Sequence, residues 1–156
     1  MSDRELWEEF GRRLEALGGR VVTLAEALEF AADKACWRDP DCMVPGLPEG
    51  LASSPWEAKV GFTLGDLAVA ETGSIVLSAG PGRARLASLA SVHHIALVPC
   101  SSIVATMEEA FGRLSPRTSV IITGPSRTAD IEGVLVRGIH GPRELWVVPK
   151  GLVKGT

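Results

Sequence analysis

The pattern of apolar and polar positions predicts two helices near the amino terminus. Apolar residues recur every three or four positions, as on one face of an amphipathic helix, at Leu6, Phe10, Leu14 and Leu17. Ser2 and Glu5 form a capping box before this helix, and Gly18 follows it. A second capping box, Thr23 with Glu26, predicts another helix. Its inward-facing residues are expected to be Leu24, Leu28, Ala31 and Ala32.

Short apolar runs between turn residues predict the strands. Such runs occur at residues 21–22, 67–70, 74–77, 94–99, 120–123 and 145–148. Further helices are predicted over residues 85–89, from Ser101 or Ser102 to Leu114, and from about Thr128 to Leu135. Residues 67–77 are expected to form one β-hairpin in which Gly73 takes a positive φ. Because strands and helices alternate, the pattern is typical of an α/β layered fold with a mostly parallel sheet flanked by helices.

Length and composition predict one domain over residues 1–156. The chain is long enough for one core and too short for two, and 46% of its residues are apolar and 22% charged, close to globular averages. Residues 1–55 form the helical amino-terminal part, and residues 56–150 carry most of the motifs. Residues 36–55 are rich in Pro, Gly, Asp and Ser, which predicts an irregular connection.

The charge distribution favours a small anionic ligand over a nucleic acid. The net charge is −3, whereas nucleic-acid-binding domains are usually strongly basic. Residues 113–156 nevertheless carry seven Lys or Arg and three Asp or Glu. A locally positive region of this kind suits a small anion or an acidic partner.

The cysteines and the hydropathy pattern predict a cytoplasmic protein. Cys36, Cys42 and Cys100 form no CxxC pair, so they indicate neither a disulfide framework nor a metal or iron–sulfur site. No apolar run reaches the roughly 20 residues of a membrane helix. The amino terminus is acidic, unlike a signal peptide. We therefore expect no membrane span, no metal and no bound cofactor.

Residues 124–132 form the densest group of candidate ligand-binding side chains. They follow the apolar run at residues 120–123, and α/β proteins tend to hold anionic groups in a turn after a strand. The residues assigned to ligand binding are Gly124, Ser126, Arg127, Thr128, Asp130 and Glu132. The alternative is that Ser126 or Thr128 only caps a helix, and that the two acidic residues only complement its dipole.

A second candidate group surrounds the predicted hairpin turn. Glu71 is either a partly desolvated carboxylate that serves as base or nucleophile, or an ordinary solvated turn residue. Thr72 and Gly73 beside it are assigned to ligand binding, although backbone conformation alone also explains the glycine. Arg85, near a Gly-Pro-Gly turn, and His140, in a glycine-flanked turn, are further candidates. Each of these two is also typical of a structural turn.

Six motifs lie in order between residues 60 and 150. They are Gly-Phe-Thr-Leu-Gly-Asp at 61–66, Ala-Glu-Thr-Gly-Ser at 70–74, Gly-Pro-Gly at 80–82 with Arg85-Leu86 and Ser88-Leu89, His-Ile-Ala-Leu-Val-Pro at 94–99, Gly-Pro-Ser-Arg-Thr-Ala-Asp-Ile-Glu at 124–132, and Gly-Ile-His-Gly-Pro at 138–142. Together they closely resemble the LUD domain of the lactate-utilisation protein C (LutC) family. The resemblance implies a layered fold like that of the NagB/RpiA/CoA-transferase proteins.

The resemblance also implies a function. It implies a cytoplasmic component of an L-lactate oxidation system that acts with iron–sulfur subunits and carries no cluster itself. Family members are usually longer, so residues 1–55 look like an abridged amino-terminal part.

Two functional hypotheses follow, and a third has no ligand. The first is an accessory subunit that binds a small anion, such as lactate or pyruvate, in a cleft between the Glu71 hairpin and residues 126–132. The second is an enzyme of the CoA-transferase or sugar-phosphate-isomerase type, in which Glu71 is nucleophile or base and residues 124–128 hold a phosphate or CoA group. The third is a purely structural role in an assembly.

Overall fold

A computed structural model describes residues 1–48, 52–83, 86–129, 135–137 and 141–151, and of residues 127–129 and 135–137 it describes the backbone. The helices are α1 (Asp3–Ala16), α2 (Leu24–Ala31), α3 (Ala87–Ala90) and α4 (Met107–Gly112). The strands are β1 (Arg20–Val21), β2 (Cys36–Arg38), β3 (Val60–Leu64), β4 (Leu67–Val69), β5 (Ser74–Ser78), β6 (His93–Pro99), β7 (Ile103–Val104), β8 (Ser119–Thr123), β9 (Arg127–Ala129), β10 (Leu135–Arg137) and β11 (Glu144–Lys150).

The capping signals at both amino-terminal helices are confirmed. The Ser2 side chain accepts a hydrogen bond from the Glu5 N–H, and the Ser2 N–H donates to Glu5 Oε2 at 2.7 Å. Thr23 accepts from the Glu26 N–H before α2. The buried face of α1 is the predicted apolar face with Trp7 added: Leu6, Trp7, Phe10 and Leu14. In α2 the buried residues are Ala27 and Ala31, whereas Ala32 is exposed.

The mostly parallel sheet is confirmed. Its five strands lie in the order β1-β11-β6-β3-β2, and every neighbouring pair is parallel. Side chains of β6 alternate between its two faces, as the strand period requires. Ile95 and Leu97 pack on the side of α2, and Ala96 and Val98 pack on the side of α1. The protein is therefore layered, with helices on both faces of this sheet.

A second sheet of four strands, in the order β7-β4-β5-β8, packs on the α1 side. β4 and β5 form the predicted antiparallel hairpin, and the turn between them contains Gly73 at φ +65°. β8 pairs antiparallel with β5, from Ser74 opposite Thr123 to Ser78 opposite Ser119. This pairing brings the end of β8 next to the hairpin turn.

The predicted helix from Ser101 or Ser102 is wrong in its first part. Residues 100–102 form a single 3₁₀ turn, and β7 follows it, parallel to β4. The helix starts only at Met107, after Thr106, whose side chain accepts from the Glu109 N–H. The β-branched pair Ile103-Val104 is buried against the hairpin, and this tertiary contact overrides the local helical pattern.

The predicted helix from about Thr128 to Leu135 is also wrong at both of its ends. β9 and β10 pair antiparallel, with Thr128 opposite Val136. Residues 130–134 lie outside the described part of the chain. Because Thr128 lies in a strand, no helix start at this position supplies free N–H groups to an anion.

The irregular connection predicted over residues 36–55 begins with regular structure. β2 pairs parallel with β3, with Cys36 opposite Val60. Three residues are too few to show a period, so only the pairing partner identifies the strand. The thiols of all three cysteines are free, and the residues are buried. Within the described ranges, no helix combines the length and apolar character needed to cross a membrane.

Candidate functional site

A cavity of about 230 Å³ lies beside the turn that follows β8. We call it the Ser126 cavity; its lining includes Ser88, His94, residues 121–126, Gly141 and Pro142. The lining comes from four separate stretches of the chain, and each of them belongs to a motif named above or directly adjoins one. The cavity lies at the amino ends of β6 and β11, where His94 and Leu145 pair.

Two glycines allow the chain segments around this cavity to approach closely. Gly124 has a φ of +80°, and a Cβ there would lie 2.9 Å from Leu17 Cβ. The Ser126 N–H donates to the Pro142 carbonyl oxygen at 2.9 Å. A Cβ on Gly141 would lie 3.1 Å from Ser126 Cβ. The turns at residues 124–126 and 141–142 therefore form one continuous wall of the cavity.

His94 contributes a neutral imidazole to the cavity. Its side chain is fully buried, and Nε2 lies 2.7 Å from Thr63 Oγ1. Burial lowers the pKa of His94 to about 3, and the neighbouring His93 lowers it further. The ring therefore carries no charge at neutral pH and cannot balance an anion there.

Glu71 lies in the hairpin turn, and its carboxylate contacts the start of α4 and not the Ser126 cavity. Its Oε1 accepts a hydrogen bond of 2.7 Å from the N–H of Met107, the first residue of α4. The residue is exposed, and it does not line the Ser126 cavity. A carboxylate at this position satisfies a free N–H and complements the helix dipole. The structure therefore gives Glu71 a capping contact, and a catalytic role stays a prediction.

We expect Glu71→Ala to lower the free energy of unfolding by about 1 kcal/mol, because the Met107 N–H loses its acceptor. Glu71→Gln keeps an oxygen at the same place and should retain most of that stability. Urea unfolding of both variants measures the difference, with Glu29→Ala, at an exposed position of α2, as control. Equal stability of the Ala and Gln variants would contradict the capping role.

The two predicted turns are neighbours. Ser74 Oγ and Thr123 Oγ1 lie 2.7 Å apart where β5 and β8 pair. Both turns also lie against the carboxyl-terminal end of α1, Gly73 beside Leu14 and Gly124 beside Leu17, the residue that follows the helix. The Ser126 cavity is nevertheless lined by residues of the second turn and by none of the first. A ligand that touches both turns stays a prediction.

The remaining predicted site residues divide into three groups. The Thr72 Oγ1 atom is buried and has no hydrogen-bond partner among the described residues. Arg127 and Thr128 lie in β9, of which the backbone is described. The other four predicted residues lie outside the described residues: Arg85, Asp130, Glu132 and His140.

Sequence reasoning missed a charged cluster at the opposite end of the parallel sheet. Arg83 Nε pairs with Asp41, and one of its terminal nitrogens lies 2.5 Å from Asp66 Oδ1. Asp39 is buried close by, and burial raises its pKa to about 7, with Asp41 adding to the effect. The available signal was that Asp39 directly follows β2 and Asp66 closely follows β3, because polar residues at the carboxyl ends of parallel strands often mark sites.

The described residues contain no group of three or more His, Cys, Asp or Glu side chains arranged to hold a metal ion. The cluster around Arg83 includes three carboxylates, but two of them form ion pairs with Arg83. Its geometry is that of an ion-pair network.

The family model of the LUD domain matches residues 47–148 of this chain. This range contains every residue that lines the Ser126 cavity. It also contains Asp66 and Arg83, whereas Asp39 and Asp41 lie before it.

Several relatives are named lactate utilization protein C. The protein from Halalkalibacterium halodurans is 38% identical over 103 residues, which are 60% of this chain and 45% of that protein. The protein from Exiguobacterium sp. is 39% identical over 61% of this chain and 45% of its own length. The Bacillus subtilis protein is 41% identical over 55% of this chain and 40% of its own length. The matched part thus spans less than half of each of these relatives.

A crystal structure of a DUF162 family protein from Deinococcus radiodurans has a similar fold. The TM-score is 0.67, the sequence identity is 23%, and the match covers 97% of this chain and 99% of that one. At this identity the similarity concerns the fold.

Proposed function

Because this chain belongs to the LUD domain family, we propose that it is an accessory component of lactate utilisation that binds a small organic anion in the Ser126 cavity. One observation carries the proposal. Four of the six motifs that identify the family contribute to the lining of this one cavity, through Ser88-Leu89, His94, residues 124–126 and Gly141-Pro142. Separate sequence motifs that meet at one concave surface are typical of a binding site.

The size of the cavity supports a small ligand. Its volume of about 230 Å³ is below the usual range for drug-sized ligands. A monocarboxylate such as lactate or pyruvate fits this limit. The hydroxyl group of half-buried Ser126 is a hydrogen-bond donor at the wall.

The charge for an anion would come from residues adjacent in the chain. Arg127 follows Ser126, His140 precedes Gly141, and Arg85 lies three residues before Ser88. We include these three, together with Thr128, among the ligand-binding residues of the proposal. Since His94 stays neutral, Arg127 is the residue whose removal should matter most for an anion.

The names of the relatives support the link to lactate. We propose that residues 1–156 act as one domain, in the cytoplasm, beside iron–sulfur subunits that carry out electron transfer. The partner subunits are part of the proposal because the resemblance to the LutC family implies them.

We expect L-lactate or pyruvate to perturb the amide resonances of Ser126 and Gly141 saturably in a ¹⁵N NMR titration. Ser126→Leu should weaken binding at least about tenfold, equivalent to ~1.4 kcal/mol, because the larger side chain occupies the cavity. Arg127→Gln should weaken it by a similar factor. Ser101→Leu, at an exposed position outside the cavity, is the matched control.

Three results would contradict this proposal, two of them concerning the cavity and one concerning the charge of the ligand. One is the absence of saturable perturbation by either acid at millimolar concentration. Another is an equal response of the Ser126→Leu and Ser101→Leu proteins. A neutral amide of lactic acid, added in parallel, tests the requirement for charge, and equal binding of the amide would exclude an anion site.

A further inference from the structure

A larger cleft of about 680 Å³ lies beyond the carboxyl end of β3. We call it the carboxyl-edge cleft; Asp41, Asp66 and Arg83 line one side, and residues 113–117 line the other. It shares no lining residue with the Ser126 cavity. In open α/β sheets, ligands usually bind outside the carboxyl ends of the parallel strands.

One side of the cleft is a fixed ion-pair network. Arg83 contacts Asp41 through Nε and Asp66 through a terminal nitrogen. Asp66 Oδ2 also accepts from the Ser78 N–H at 2.6 Å. All three charged side chains are half-buried. These contacts hold the carboxylates in place, and they neutralise much of the charge of Arg83.

The other side carries two arginines without a carboxylate partner among the described residues. Arg113 and Arg117 are exposed and line the same cleft. A Cβ on Gly80 would lie 3.1 Å from a terminal nitrogen of Arg117. The guanidinium therefore lies against the backbone of a glycine turn. Guanidinium groups placed in this way can bind a phosphate or a carboxylate through paired hydrogen bonds.

Two buried acceptor atoms of the network have no hydrogen-bond partner within the described part of the chain. Asp41 Oδ1 is buried and has no hydrogen-bond partner among the described residues. The same holds for Oδ1 of Asp39, a residue that is only 4% exposed. Asp39 lines an adjoining cavity of about 320 Å³, and Arg83 lines both cavities. Both oxygens are buried, so the carboxylate surface open to a ligand in the cleft is that of the partly exposed Asp41 and Asp66 side chains.

We propose that the carboxyl-edge cleft is a second ligand site, which takes an organic anion that also carries hydroxyl groups. Arg113 and Arg117 bind the anionic group, and the carboxylates held by Arg83 accept hydrogen bonds from the hydroxyl groups. The three arginines exceed the two lining carboxylates by one positive charge, which suits a ligand with one anionic group. Phosphate and carboxylate esters or acids of polyols share this chemistry.

The test is isothermal titration calorimetry of the whole chain with four probes. They are ribose 5-phosphate, gluconate, ribose and inorganic phosphate. We expect at least one of the first two to bind, with no binding of ribose and at least tenfold weaker binding of inorganic phosphate. The comparison of ribose 5-phosphate with gluconate distinguishes a phosphate from a carboxylate ligand.

Two variants locate the anionic group. The double variant Arg113→Gln with Arg117→Gln should weaken binding at least tenfold, and both positions are exposed, so the fold is expected to be kept. The double variant Arg4→Gln with Arg12→Gln removes the same charge from exposed positions on α1 and should bind like the wild type. Equal weakening by both double variants would overturn the site, since it would reflect net charge alone.

A third variant tests the hydroxyl contacts. Asp41→Asn should weaken the binding of ribose 5-phosphate or gluconate and leave the binding of inorganic phosphate unchanged. Unchanged binding of inorganic phosphate also shows that the cleft is still folded in this variant. The proposal is overturned if neither organic anion binds at millimolar concentration, or if inorganic phosphate binds as tightly as both. Lactate is not a probe here, and Ser126 is unchanged in every variant. A negative result in this experiment would therefore overturn the site in the carboxyl-edge cleft and not the proposed site in the Ser126 cavity.

Discussion

Replacing Gly73 with Ala is expected to lower the free energy of unfolding by about 3 kcal/mol or more. Gly73 has a φ of +65°, which costs a residue with a Cβ roughly 1–2 kcal/mol. The added Cβ would lie 2.7 Å from the Leu14 backbone nitrogen and 2.9 Å from the Arg13 carbonyl carbon. These are backbone atoms of α1, so a side-chain rotation cannot relieve the overlap, and overpacking of this kind costs about 1–3 kcal/mol more.

Gly112→Ala is the matched control for this prediction. Gly112 is the last residue of α4, its φ is not positive, and a Cβ there would meet no atom within 4 Å. We expect it to be neutral or to stabilise by up to about 1 kcal/mol. Urea unfolding at one pH compares the three proteins. Equal stability of the Gly73→Ala protein and the wild type would contradict the contact between the hairpin turn and α1.

This result bears on the role that the sequence predicts for the hairpin turn. A loss of ligand binding in a Gly73 variant would follow from displacement of α1 as readily as from a lost ligand contact. Glu71→Gln and Ser126→Leu change side chains without this backbone overlap, so they are the more informative variants for the site.

Asp39→Asn is expected to raise the free energy of unfolding at pH 8 by about 2–4 kcal/mol. Burial raises the pKa of Asp39 from 3.8 to about 7, with Asp41 adding to the rise and Arg83 opposing it. A raised pKa means that the folded protein binds the proton more tightly than the unfolded chain between pH 3.8 and 7. Stability from this group is therefore present below pH 3.8 and is lost as the pH rises through 7. The Asn side chain is neutral throughout and avoids this loss.

The pH dependence separates this effect from a general change in packing. The gain from Asp39→Asn should be about 2–3 kcal/mol larger at pH 8 than at pH 5, measured by urea unfolding at both values. A gain that is the same at both pH values would contradict the burial of an ionising Asp39. Asp33→Asn, at an exposed aspartate, should leave the difference between the two pH values unchanged.

Two buried histidines change the stability with pH in the opposite direction to Asp39. Their effects cancel when the two proteins are compared. Burial lowers the pKa of His93 to about 4 and that of His94 to about 3. Their contribution to stability is present above pH 6.5 and is lost as the pH falls toward those values. Both histidines are present in the wild type and in the Asp39→Asn protein, so the difference between the two proteins reports Asp39.

Helix starts and most of the longer strands were predictable because their causes are local, whereas β3 (Val60–Leu64) was not predicted. Ser2 with Glu5 and Thr23 with Glu26 lie within one helical turn of each other, and their hydrogen bonds form as expected. The apolar runs that form β6, β8 and β11 are long enough to predict a strand from the sequence alone. The positive φ of Gly73 follows from the spacing of the two strands around it.

The errors have a common physical cause. Ile103-Val104 and Cys36–Arg38 are strands because β4 and β3 offer them hydrogen-bond partners. Thr128 lies in a strand because β10 returns beside it. In each case a segment of two or three residues is too short to carry a period, and its structure depends on a partner distant in sequence.

By itself, the sequence determined the family, the mostly parallel α/β fold and the presence of turns rich in hydroxyl and basic residues, because periodicity, capping and motif spacing are local properties of the chain. Only the tertiary structure decided that Ser126 lies against Pro142, that Glu71 binds the start of α4, and that Arg83 joins Asp41 to Asp66. Each of these contacts joins residues that are 16 or more positions apart. Which distant side chains meet is decided by how the layers pack, and packing is not encoded in any short stretch of sequence.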